Sequence, residues 1–250
     1  MKTLIPRSSR VSPSSGRIGP MWHAGWILLA CLPCVRLHAA DVPSSADSQA
    51  QGFVRSLTKE EVAILPQTAY AGSVIVPATE EELKSAVARI EQETLLGFDM
   101  EARPSFKKGE HHPPSLIQLA TADAVYLIRL NQLPFSPEIR AVLSKPSILK
   151  VGVGASADMV ALQELQPFTA AGVVDLDDIA VRMGIQQPSL RGLAALLLKI
   201  RISKKEQLSN WEAPQLTPAQ VSYAATDAWV GRELYRRMVA LGYGPTQSIP

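Results

Sequence analysis

Apolar and polar positions fall into regular patterns from about residue 52 onward. Leu83, Val87 and Ile90 recur at spacings of four and three, which predicts an amphipathic helix over 80–93. A short apolar run that ends in alternation predicts a strand over 95–101. Two further strands, 115–121 and 124–130, are joined by a turn at Ala122 and Asp123 and read as a hairpin. Pro137 suits the first position of a helix over 136–144. A buried strand over 148–153, a helix over 155–165, a strand over 172–176 and a helix over 177–183 follow. The apolar segment 190–200 predicts another helix. Thr217 as N-cap and Pro218 at the first helical position open a long one over 217–241. A helix, a β-meander, alternating α and β and then helices describe a single α/β domain with a mixed sheet.

Residues 1–51 break this pattern. They are rich in Ser, Pro and Arg and carry five basic and two acidic residues. An apolar stretch from Trp26 to Val35, followed by Leu37, His38, Ala39 and Ala40, resembles a secretory signal, although His38 is large where a small residue is wanted. Leu28 to Cys31 also fits a lipid-attachment signal, and the acid-poor start fits an organellar transit peptide or a translated upstream region. The expectation is a cytoplasmic protein if the true start lies further on, and an exported or lipid-anchored one if residues 21–40 act as a signal. Residues 41–51 read as a polar linker, which leaves 52–250 as the folded domain.

The whole chain has 250 residues, 46% hydrophobic and 19% charged, with net charge +2. That balance excludes a histone-like coat for polyanions, so any grip on a polyanion must come from local clusters. No run of about 18 uninterrupted apolar residues occurs, so no membrane-spanning domain is expected. The only two cysteines, Cys31 and Cys34, exclude a disulfide framework and a cysteine-rich zinc site.

Three segments set carboxylates in unusual places. Asp99 and Glu101 are two apart on a predicted strand, so both leave the same face, where two like charges repel unless a cation sits between them. Phe98 and Met100 then face the core. Asp158 falls in the first turn of a helix, where the dipole alone would favour an acid. Tyr223 and Asp227, four apart, share one helix face, and Ala224, Ala225 and Thr226 between them suggest a close approach to another element.

These segments resemble the DEDD-type 3′–5′ exonuclease family in its tyrosine-bearing branch, similar to ribonuclease D and the exonuclease domain of the Werner-type helicase. The resemblance spans about residues 74–241. It rests on Gly97 to Glu101 with Arg103, Pro104 and Ser105; on Lys150 to Gly154 with Asp158 and Leu162; and on Tyr223 to Ala228, preceded by Ser209, Asn210, Trp211 and the stretch 214–220. The hairpin strand Ser115 to Ala120 shares the family's look, whereas Ala102 stands where helicase-type members often carry an aromatic.

The resemblance implies a ribonuclease-H-like mixed β-sheet flanked by helices, and hydrolysis of DNA or RNA from the 3′ end with release of nucleoside monophosphates. It also implies two divalent cations, Mg²⁺ or Mn²⁺, which as hard ions want oxygen ligands. Asp99 would bridge both ions, Glu101 and Asp227 would join it on the ion that holds the nucleophile, and Asp158 would act largely through the other. Tyr223 would orient the attacking water. Two basic clusters are candidate phosphate contacts: Arg191, Lys199, Arg201, Lys204 and Lys205, and Arg103, Lys107 and Lys108. Trp211 is expected in the core, and His111 and His112 are not expected to bind metal.

Two rivals remain. The first is a catalytically inactive nucleic-acid-binding module on the same fold, which would be expected to lose an acid. The second is a dinucleotide-binding protein, because Gly152, Gly154 and Ala157 follow a strand and open a helix, with Asp175 ending the next strand.

Overall fold

The computed structural model describes residues 56–107, 109–186 and 188–244. Residues 1–55, with both cysteines and every reading of the N-terminal signal, lie outside the described residues, as do Lys108 and Gln187. The elements run α1 (Lys59–Ala63), β1 (Ser73–Ile75), α2 (Glu80–Ile90), β2 (Leu95–Ala102), β3 (Pro114–Ala120), β4 (Ala124–Arg129), α3 (Pro137–Ser144), β5 (Leu149–Gly152), α4 (Ala155–Leu165), β6 (Val173–Asp175), α5 (Leu176–Arg182), α6 (Leu190–Leu193) and α7 (Pro218–Ala240). Two short elements, α1 and β1, precede the first one that periodicity predicts. Both are too short to show a period, and β1 is fixed by parallel pairing with β4.

The six strands lie in the order β1-β4-β3-β2-β5-β6. β2, β3 and β4 form the antiparallel meander, and β5 and β6 extend it in parallel from β2. This is the expected α/β architecture, a mixed sheet flanked by helices. One face of the sheet buries Phe98, Ile117, Leu119, Tyr126 and Ile128 against α2, α3 and α4. The other buries Leu116, Ala120, Val125 and Leu127 against α7 and Trp211.

The segment 190–200 departs from a plain helix. Leu190–Leu193 is α-helical, and Ala194–Leu198 widens into a π-helical turn. It stops at Lys199, which adopts a left-handed φ of 57°. The chain then runs alongside residue 67, where Gln67 and Arg201 form an isolated bridge. No helix among the described residues is long and apolar enough to cross a membrane.

α7 owes its position to its first turns. Thr217 caps it, and Gln220 completes a capping box. The Gln220 amide also donates to Ser209 Oγ (2.8 Å) and to the Asn210 carbonyl (3.1 Å). The Arg129 guanidinium donates to the Pro214 carbonyl (2.9 Å) and to that of Ala213. Trp211 is fully buried, as expected, with its ring centroid 5.9 Å from that of Tyr223. The 209–220 stretch thus anchors the helix that carries two candidate site residues.

Candidate active site

β2 meets α7 across the face from which Gly97, Asp99 and Glu101 project, and Tyr223 and Asp227 enter from the helix. One carboxylate oxygen from each of Asp99, Glu101 and Asp227 lies within 4.8 Å of the others. The three acids and Tyr223 line one hollow of about 310 Å³, with Arg191 on its wall. Tyr223 and Asp227 are each only 7% exposed, so Asp227 is not the solvated surface acid that its helix position alone would allow.

Asp158 stands somewhat apart. It is not one of the three acids that close on a common point, but its negative charge acts on Glu101 and that of Asp99 acts on it. Its helix opens at Gly154, whose φ of 74° is left-handed and which supplies no capping side chain. The missing cap comes from Asp175, which accepts from Gly154 N–H (3.1 Å), Ser156 N–H (3.3 Å) and Asp177 N–H (3.1 Å). Asp175 therefore staples the β5–α4 turn that presents Asp158. This corrects the dinucleotide-binding alternative: the acid it needs for a ribose is committed to backbone amides, and the sheet is a meander with parallel extensions.

The electrostatics are those of uncompensated carboxylates. Burial, then the charges of Asp99, Asp227 and Asp158, push Glu101 up to about 9. Burial, then Asp99 and Asp175, push Asp158 up to about 8. Asp99 and Asp227 are likewise raised, chiefly by burial. Asp99 gains relief from Met100 N–H, which donates to its Oδ1 (2.9 Å). Asp227 gains some from Tyr223 and Arg191. Tyr223 is driven far above the usual phenol range by burial and then by the negative charges of Asp227 and Glu101. An all-oxygen donor set that is costly to ionise by itself fits hard divalent cations, which would supply the missing positive charge.

The predicted phosphate contacts divide. Arg191 lines the acidic hollow and is held by Gln207 Oε1 (3.4 Å), a partner that the sequence does not single out. Arg191, Arg201, Lys204 and Lys205 also line an adjoining hollow of about 460 Å³. Lys205 reaches a third, smaller hollow shared with Tyr223 and Asp227. Lys199 is exposed and lines none of these. Exposed Arg103 pairs with half-buried Glu212 (3.5 Å), and Lys107 is exposed and lines none of these hollows.

A sequence model described as 3′–5′ exonuclease matches residues 74–241. The mouse bifunctional 3′–5′ exonuclease/ATP-dependent helicase WRN is 31% identical over 160 residues, covering 62% of this chain and 11% of that protein. The human exonuclease 3′–5′ domain-containing protein 2 is 32% identical over 175 residues, covering 65% and 28%. This chain thus spans less than a third of either relative. The Nibbler EXO domain of Aedes aegypti superposes with a TM-score of 0.63 at 21% identity, covering 72% of this chain and 96% of that one. RNase D of Escherichia coli gives 0.61 at 21%, covering 69% and 47%. These two structures share the fold. With its acidic motifs in order within the matched residues, the chain belongs to the DEDD 3′–5′ exonuclease family.

Proposed function

We propose that this chain removes nucleotides one at a time from nucleic-acid 3′ ends, with residues 52–250 acting as one catalytic domain. The observation that carries the reading is the meeting of Asp99, Glu101 and Asp227 beside Tyr223 in one hollow. Asp99, Glu101 and Asp227 would hold one divalent cation, and Asp99 with Asp158 a second. Bound there, two Mg²⁺ or Mn²⁺ ions would ease ionisation of water and stabilise the departing 3′-oxygen.

The chain's own groups do the rest. Tyr223 stays protonated at neutral pH, so it positions the attacking water by hydrogen bonding and does not take its proton. Arg191 faces the phosphate nearest the acids. Lys204, Lys205 and Arg201 receive the phosphates that follow, in the adjoining hollow. Water adds to the terminal phosphorus, the 3′-oxygen of the preceding nucleotide leaves, and a nucleoside monophosphate is released.

The test is digestion of 3′-labelled and 5′-labelled DNA and RNA, with and without EDTA. Release of labelled monophosphate from the 3′ end only, abolished by EDTA, is the expected result. Binding without release would identify an inactive module instead. Tyr223→Phe is expected to lower kcat about 100-fold, the scale of a misplaced reacting group, while Mn²⁺ affinity changes little. An unchanged kcat removes Tyr223 from the reaction. Reversing charge at Lys204 and Lys205 together is expected to raise KM for a single-stranded oligonucleotide about tenfold at low salt and to flatten its salt dependence. A salt slope equal to the parent's would move the strand's path elsewhere.

A further inference from the structure

Gln118 sits in the middle of β3, directly opposite Asp99 on β2 and Leu127 on β4. Residues opposite one another in a ladder project from the same face with their Cβ atoms adjacent. That face is the one α7 covers, where Leu116, Ala120, Trp211 and Tyr223 pack together. Gln118 is fully buried, and neither its amide nitrogen nor its amide oxygen has a hydrogen-bond partner. Trp211, in the apolar cluster on that face, also holds a buried Nε1–H with no partner.

A core strand has no reason of its own to keep such a group. Leu116, Ala120 and Leu127 around it are apolar, and a leucine or methionine would fill the space without stranding a donor and an acceptor. The polar neighbour in the ladder is Asp99, whose Oδ1 is already engaged by Met100 N–H. A carboxamide is suited to the other oxygen, because its N–H can donate to that oxygen once the Asp99 side chain turns toward it. Its own carbonyl remains free to accept from a donor such as Trp211 Nε1.

We propose that Gln118 is a positioning residue for Asp99: its amide N–H clasps the Asp99 carboxylate when the site takes up divalent cations and fixes the orientation in which Asp99 binds them. The proposal rests on the reading of Asp99 as a cation ligand. It acts through Asp99 and requires no contact between Gln118 and nucleic acid. Groups that orient a metal's ligands in this way are commonly worth about 10- to 100-fold in metal affinity or activity.

The experiment compares the parent chain with Gln118→Met, which keeps the volume and loses the donor, and Gln118→Asn, which keeps the carboxamide but withdraws it by one methylene. Mn²⁺ affinity is read by electron paramagnetic resonance of the free ion, melting temperature in EDTA, and kcat and KM on a 3′-labelled oligonucleotide. Gln118→Met is expected to melt no lower than the parent without metal, to bind Mn²⁺ about tenfold more weakly, and to lose kcat with KM unchanged. Gln118→Asn is expected to fall between the two in Mn²⁺ affinity, which keeps the test alive if the methionine variant fails to fold. If both folded variants bind Mn²⁺ as the parent does, Gln118 is only core filling and the proposal is overturned. If the parent itself binds no Mn²⁺, the cation reading of Asp99 fails and takes this proposal with it.

Discussion

Asp99→Asn is expected to abolish Mg²⁺- and Mn²⁺-dependent digestion, a fall on the order of 10³-fold or more, which is the scale for losing one member of an interdependent catalytic set. The same change is expected to raise the melting temperature of the chain in EDTA. Both results follow from one feature: acids packed together with little to offset their charge. In the metal-free fold each raised carboxyl prefers its proton. Glu101 moves from an ordinary value of 4.5 to about 9, and Asp158 from 3.8 to about 8. Between about pH 4.5 and 8 the folded chain therefore binds more protons than the unfolded chain, so its stability falls as pH rises through that window. Removing the Asp99 charge eases both neighbours, so the Asn variant should lose less stability between pH 5.5 and 8 than the parent. Added Mn²⁺ should raise the parent's melting temperature most at the alkaline end of that range, where the empty site costs most, and should raise the variant's far less. Thermal melts at two pH values, with EDTA or Mn²⁺, read all of this beside one digestion assay. A variant that digested at the parental rate would remove Asp99 from the site, and a parent whose metal-free stability did not fall with pH would remove the crowding.

The acidic constellation was legible because each part has a local signature. Asp99 and Glu101 end an apolar strand in alternation, and Tyr223 and Asp227 lie one turn apart on a helix whose start Thr217 and Pro218 announce. What joins the parts is long-range packing, and no local pattern carries it. The π-helical turn at Ala194–Leu198 and the left-handed Lys199 re-aim the basic segment, so Arg201, Lys204 and Lys205 gather at a hollow that Lys199 does not reach. Asp175 has the sequence signature of a ribose-binding acid, yet it serves backbone amides, because only the fold sets β6 beside the β5–α4 turn. Gln118 is masked by the apolar strand around it, and its buried, unpartnered state emerges only once the ladder sets it beside Asp99. Arg103 follows the first acidic motif closely, but a distant acid, Glu212, occupies it.

Gly97→Ala is expected to damage folding and catalysis together, although Gly97 bears no side chain and touches no substrate. A Cβ placed there would lie 2.0 Å from the Ala228 carbonyl oxygen and 2.9 Å from Arg232 Cβ, so α7 would have to move off β2. Ala228 follows Asp227 directly, and Gly97 precedes Asp99 by two positions on the same strand face. Any retreat of the helix thus opens the acid cluster from both sides, and misplacement of about 1 Å at a reacting centre can cost about 100-fold in rate. Overpacking of this kind costs about 1–3 kcal/mol, and about 2–4 °C of melting temperature per kcal/mol for a domain of this size. The expected result is therefore a melting temperature lower by roughly 2–12 °C and a kcat lower by about two orders of magnitude. Gly231→Ala supplies the graded comparison. Its Cβ would meet the Val151 carbonyl oxygen at 3.2 Å, a contact that a shift of a few tenths of an ångström relieves. It should therefore melt between Gly97→Ala and the parent and keep most of its rate. If Gly97→Ala matched the parent in both measurements, the strand and helix would not be in the close contact that brings Asp99 to Asp227.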